Sequence, residues 1–214
     1  MRTNPFYDTW LFLIGSTDDH QKLGAFKHSI VALFLLLIVA SAWIAWTNWR
    51  DDPAQRNGRD LTMGVCRVLI GGMWFQGCLW KLPFPMSGGF QYWTGEMAEH
   101  AAFAFHRALV TDVYLPYLVV IQPLVFLAEL AFGASLILGF GVRLFAFLAL
   151  FHTLHLWLGL YRHPQEWPWE FIFLAVVMVL FVVDAAGRSL GADALLRRRA
   201  SPKSLIGRFV ARAG

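Results

Sequence analysis

Arg67, Glu129, His152 and His155 are ionisable side chains set inside stretches otherwise apolar enough to cross a lipid bilayer. A charge in hydrocarbon costs roughly 2.5–3.5 kcal/mol on insertion scales, so such residues face protein or water and mark a polar interior. At 1.5 Å per helical residue, Arg67 falls about 9 Å from the inner end of its stretch. Glu129 and His152 fall near the middle of theirs, and His155 lies one turn beyond His152 on nearly the same face. Arg67, Glu129 and His152 are therefore expected in one polar cluster. Two readings fit it. An Arg–Glu pair with an interhelical histidine hydrogen bond would hold helices together. Alternatively, Glu129 and His152 relay protons to a quinone carbonyl, with Arg67 and His155 completing the catalytic set.

Other polar residues sit at the edges of these stretches. Lys81 marks a boundary, where it either snorkels to the interface or contacts an anion together with Arg107. The run His163-Pro164-Gln165-Glu166-Trp167-Pro168-Trp169-Glu170 puts two carboxylates beside tryptophan anchors. Glu170 either caps the following helix or holds a substrate or partner. Asp184 and Arg188, four apart, are expected to pair. Cys66 and Cys78 lie about 18 Å apart along one helix and cannot bridge. No Cys/His spacing of metal-site type is present. Both intramembrane histidines share a helix, whereas a b-type haem needs ligands from facing helices, so no haem is expected.

The elements that carry these residues are helices. Of 214 residues, 57% are hydrophobic and only 15% charged, with a mean hydropathy of +0.52. A soluble domain would be nearer a quarter charged. Five apolar spans are predicted, at about 29–49, 61–82, 117–140, 144–161 and 170–187. Ala40-Ser41-Ala42 resembles a signal-peptidase site, but apolar sequence continues to Trp49 and the helix is expected to be retained. Asn4 and Pro5 mark the start of a short helix over 4–15, expected to lie on the membrane surface. Between the second and third spans, Thr94 with Glu96 and Met97 predicts a capping box, opening a lid helix with Ala101, Phe105 and Leu109 on one stripe. Lys and Arg divide eleven to six between the two sides, which predicts a cytoplasmic C-terminus. Seven of the 18 basic residues follow residue 187, as a tail meeting an anionic lipid leaflet rather than nucleic acid. No repeat or linker is visible, and the chain reads as a single membrane domain.

Four groups of residues, taken in order, resemble the DoxX family and its DoxD-like branch, the small subunit of thiosulfate:quinone oxidoreductase. The first is Arg67 with Leu69-Ile70-Gly71-Gly72, Gly77 and Lys81. The second is Glu129-Leu130-Ala131-Phe132-Gly133 leading to Gly139 and Gly141-Val142-Arg143. The third is the HLWLGL run with EWPWE over 155–170, and the fourth runs from Asp184-Ala185-Ala186-Gly187 to Asp193. The resemblance covers 61–195. It implies an all-α integral membrane fold with a four-helix core, to which residues 1–60 add an interfacial helix and an extra span and 196–214 a basic cytoplasmic tail. It further implies a bacterial or archaeal plasma membrane, partner subunits, quinone as the redox partner, and oxidation of thiosulfate to tetrathionate. Arg67, Lys81, Glu129 and Arg143 match the family's recurrent polar positions. The N-terminal additions and the lack of a periplasmic partner domain depart from the family pattern. A non-catalytic subunit anchoring a larger respiratory or photosynthetic complex is the alternative. A transporter is disfavoured, since no inverted repeat is visible and only Pro123 interrupts a span.

Overall fold

The computed structural model describes residues 4–199 and, in the tail, 204, 205, 208, 209, 212 and 214. The basic tail segment expected on the membrane surface falls largely outside these residues. The described residues form ten α-helices joined by short 3₁₀ and π turns and contain no strand. Three helical stretches are long and apolar enough to cross a membrane: Phe26–Asp51, Ala104–Leu138 and Val142–Leu160. Outward-facing apolar side chains such as Leu36, Val39, Leu69 and Val183 are about two-thirds exposed, the pattern of helices solvated by lipid.

The short helix α1 (Pro5–Leu13) begins where expected, with the Asn4 side chain accepting from Tyr7 N–H at 2.9 Å. After the four-residue α2 (Asp18–Gln21), α3 (Phe26–Asp51) buries Ile30, Phe34, Ser41, Ile44 and Asn48 along one side. Two antiparallel pairs form the body. The first is α4 (Gly58–Cys78) against α7 (Leu118–Leu138), and the second is α8 (Val142–Leu160) against α9 (Pro168–Val183).

Glycine sets the closeness of the first pair. A Cβ on Gly71 would lie 2.8 Å from Ile137 N, and one on Gly133 would lie 2.9 Å from Phe75 N. The two backbones thus touch at Gly71 and Gly133, as small residues allow in membrane helices. Gly72 and Gly77 take no part in this contact: a Cβ on Gly72 would lie 4.0 Å from the Phe34 ring, and one on Gly77 would meet open space. Gly139 and Gly141, at φ +71° and +61°, make the left-handed turn that reverses α7 into α8.

The connection after α4 departs from expectation. Thr94 does not begin a helix; it lies inside α5 (Gly88–Glu99), with its hydroxyl donating to Phe90 O at 2.8 Å. Ser87 is the actual cap, accepting from Phe90 N–H. The expected stripe through Ala101 is broken at 100–103, and α6 (Ala104–Leu109) runs through a π turn at Val110–Tyr114 and a 3₁₀ turn into α7. Gln122 pins this corner, donating to Lys81 O and accepting from Ser87 N–H.

At the opposite end, α10 (Ala192–Arg199) is not simply a surface segment. Ala192, Asp193, Ala194 and Leu195 are buried, and Leu195 packs with Ile44. Asp193 accepts from Gly141 N–H at 2.8 Å and Val142 N–H at 3.2 Å, capping α8 from another part of the chain. Asp184 and Arg188 do not pair. Asp184 takes Arg59 at 2.9 Å, and Arg188 donates to Gly214 O. Cys66 is exposed and Cys78 buried, both free.

Candidate functional site

Glu129 is the centre of the polar interior, 4% exposed on α7. Its Oε2 accepts from Lys81 Nζ at 2.6 Å, and its Oε1 lies 2.9 Å from His152 Nε2. Two oppositely placed donors thus hold one carboxylate, which offsets the desolvation that burial imposes. Lys81 does not snorkel. Only 3% exposed, it folds back so that Nζ also donates to Gly77 O at 3.1 Å and lies 4.1 Å over the Trp80 ring. The ring of His152 sits against Trp74 and Phe132, with centroids 5.8 and 6.1 Å away.

His155 continues the polar line. Its Nδ1 lies 2.9 Å from His106 Nε2, its ring is 6.4 Å from His152, and Tyr114 packs on it at 4.8 Å. Tyr114 comes from the π turn, a feature that often marks functional sites, and packs there against His155 of α8.

Arg67 is not part of this cluster. Gly71 faces Gly133 in an antiparallel pair, so one turn outward on α4 toward its start matches one turn toward the end of α7. Arg67 therefore meets Ile137, whose carbonyl accepts from Nη1 at 3.1 Å, and Leu136 O accepts from the same nitrogen. By the same register Glu129 lies opposite Phe75, on the far side of the glycine contact. Arg67 supplies a cation at the carbonyl end of α7, a helix-terminus role.

The cluster opens on a cavity of about 360 Å³. Trp74, Trp80, Trp93, Tyr114 and Phe171 give it aromatic walls, and Lys81, Glu129, His152 and His155 a polar side. Glu166 reaches it from the α8–α9 turn and Glu170 from the first turn of α9, so Glu170 does more than sit in that helix's first turn. Burial and the neighbouring Glu170 raise the Glu166 carboxyl above its ordinary range, against the opposing pull of His163. Arg107 does not reach the cavity. It is exposed and donates to Glu99 O at 3.1 Å, so the expected anion contact shared with Lys81 is not formed.

Spacing alone does not reveal Trp74, Trp93, His106 or Tyr114. They join the site only as α4 brings Trp74, α5 Trp93, α6 His106 and the π turn Tyr114 against α8 and the cavity. Comparison with protein-family models, with curated proteins and with solved structures returns no match.

Proposed function

We propose that this chain is a DoxX/DoxD-like integral membrane subunit of a quinone-linked redox system, with five spanning helices and a cytoplasmic C-terminus. The observation that carries the reading is the buried Glu129, held between Lys81 and His152 on the wall of an aromatic cavity. A volume of about 360 Å³ suits a ring headgroup, within the range of small-molecule sites. Trp74 adds an indole N–H without a hydrogen-bond partner among the described residues. A quinone taken up here supplies a two-electron, two-proton acceptor. The tryptophan and phenylalanine side chains of the wall would hold such a ring and exclude water. His152 and Glu129, with Nε2 and Oε1 2.9 Å apart on the cavity wall, would be the pair between which a proton passes on its way to the quinone. The His155–His106 pair extends the line of proton-carrying groups beyond His152. Lys81 sets its ammonium 2.6 Å from Glu129 Oε2 and so offsets the burial of that carboxylate. Electrons come from a donor bound to a partner subunit, thiosulfate being the donor that the resemblance implies.

The five-span arrangement adds α4 and α9 to the three long apolar stretches. Helix α4 has the length to cross, and its mid-helix Arg67 is buried against α7; α9 carries the shorter apolar run Trp169–Val183.

Thiosulfate-dependent reduction of a water-soluble quinone analogue, in membranes containing the full chain with its native partners, tests the reading. Glu129→Gln and His152→Ala are each expected to abolish turnover while leaving the chain in the membrane. Unchanged turnover in both variants contradicts the proposed site. Co-purification with a stoichiometric partner but without quinone favours the anchoring alternative.

A further inference from the structure

A second polar cluster lies outside the Glu129 site. Glu96 and His100 stand one turn apart at the end of α5, and His163 comes from the turn between α8 and α9. Glu96 Oε2 is 3.1 Å from His100 Nε2 and 3.2 Å from His163 Nε2, and the three ligand atoms all lie within 4.8 Å of one another. We propose that Glu96, His100 and His163 form a binding site for a first-row divalent metal ion of the zinc class.

The donor set is two imidazoles and one carboxylate, the trio that holds Zn²⁺ where a further position stays open. Metal–nitrogen and metal–oxygen bonds of about 2.0–2.2 Å put tetrahedral neighbours about 3.4 Å apart. Two of the three edges already have nearly that length. The third closes by a swing of the His100 ring, which is the more exposed of the two imidazoles. The site is built rather than accidental in its setting. His163 is nearly fully buried, its ring packs on Trp93 at 5.4 Å and on His100 at 4.9 Å, and the backbone is fixed by Arg162 N–H donating to His100 O. One contact opposes the metal. His163 Nδ1 accepts from Gln165 N–H at 3.3 Å, which places the ring proton on Nε2. Ligation through Nε2 moves that proton to Nδ1 and gives up this long hydrogen bond in exchange for a metal–nitrogen bond. Bound metal would tie α5 to the α8–α9 turn, and Trp93, Met97 and Glu166 on those segments line the cavity. The site does not depend on quinone chemistry at Glu129.

Titration of tag-free, full-length protein in mild detergent with Co²⁺ alone reads the site directly. The wild type is expected to bind a single equivalent with the intense visible band of low-coordinate Co²⁺, displaced by an equal amount of Zn²⁺. His100→Ala and His163→Ala, on separate segments, are each expected to lose the band while circular dichroism stays helical. His28→Ala, an exposed histidine elsewhere, is expected to retain it. A folded wild type without stoichiometric Co²⁺ binding overturns the proposal, as does a band that survives in both histidine variants; Glu96 is then a hydrogen-bonded latch between two histidines.

Discussion

Glu129 and Lys81 illustrate why a buried charge is rarely tolerated alone. Each is almost wholly removed from solvent, and each satisfies the other at 2.6 Å. Removing one partner of such a pair typically costs about 3–5 kcal/mol, whereas replacing both by apolar groups can be nearly neutral. Lys81→Met is therefore expected to lower the thermal unfolding midpoint in detergent more than Lys81→Met combined with Glu129→Leu, and a double variant less stable than the single one would contradict the pairing. Glu166 gives a pH dependence with a defined sign. Its raised pKa means that the folded protein keeps a proton the unfolded chain has released. This group's stabilising contribution is present below the unfolded value of about 4.3 and is lost as pH rises through the folded value. Over that window, unfolding midpoints of the wild type are expected to fall relative to those of Glu166→Gln. At this scale the sequence exposed Glu129, His152 and His155 through their apolar surroundings. It misplaced Arg67, because depth within one helix is readable from residue counts but the register between two helices is not: the Gly71–Gly133 contact sets Arg67 level with Ile137 and leaves Glu129 about two turns away along the axis.

That contact decides the element scale. A Cβ at Gly71 meets backbone atoms of α7, which cannot rotate aside, while a Cβ at Gly77 meets nothing within 4 Å. Gly71→Ala is expected to cost about 1–3 kcal/mol as overpacking. Gly77→Ala, gaining up to about 1 kcal/mol of helix propensity, should not destabilise. Unfolding midpoints of the two variants make the comparison. Asp193 is the corresponding device at the other end of the bundle, capping α8 through Gly141 and Val142 N–H groups. Its loss in Asp193→Ala is expected to cost about 1–2 kcal/mol. Helix positions were legible wherever an apolar run was bounded by a turn signal, as at Asn4-Pro5 and at the Gly139–Gly141 reversal. The start of α5 was not, because Thr94 offers a local capping pattern and Ser87 caps the helix earlier, after a proline-rich turn. Asp193 was legible as part of a motif, but its acceptor role depends on the fold bringing α10 beside the α7–α8 turn.

For the whole molecule, one sided distribution of charge and two antiparallel helix pairs give a bundle with distinct ends. Arg67, Asp193 and the basic α10 lie at one end, and the cavity, Glu166 and the α5 segment lie toward the other. In the topology proposed above, the excess of Lys and Arg puts the first end in the cytoplasm. A C-terminal fluorescent-protein fusion is expected to fluoresce and a C-terminal alkaline phosphatase fusion to be inactive; the reverse pattern would invert the topology. The all-helical, membrane character was legible from hydropathy alone. The cavity was not, since its aromatic walls come from α4, α5, the π turn and α9 together. Native mass spectrometry of the full chain in mild detergent, comparing the wild type with Gly77→Phe, addresses the central claim most directly. Gly77 lines the cavity and has open space before it, so a phenyl ring fills the site and leaves its own carbonyl bonded to Lys81. The wild type is expected to carry bound quinone and the folded Gly77→Phe variant to have lost it. A wild type without quinone, or equal quinone occupancy in both proteins, contradicts a quinone site at Glu129.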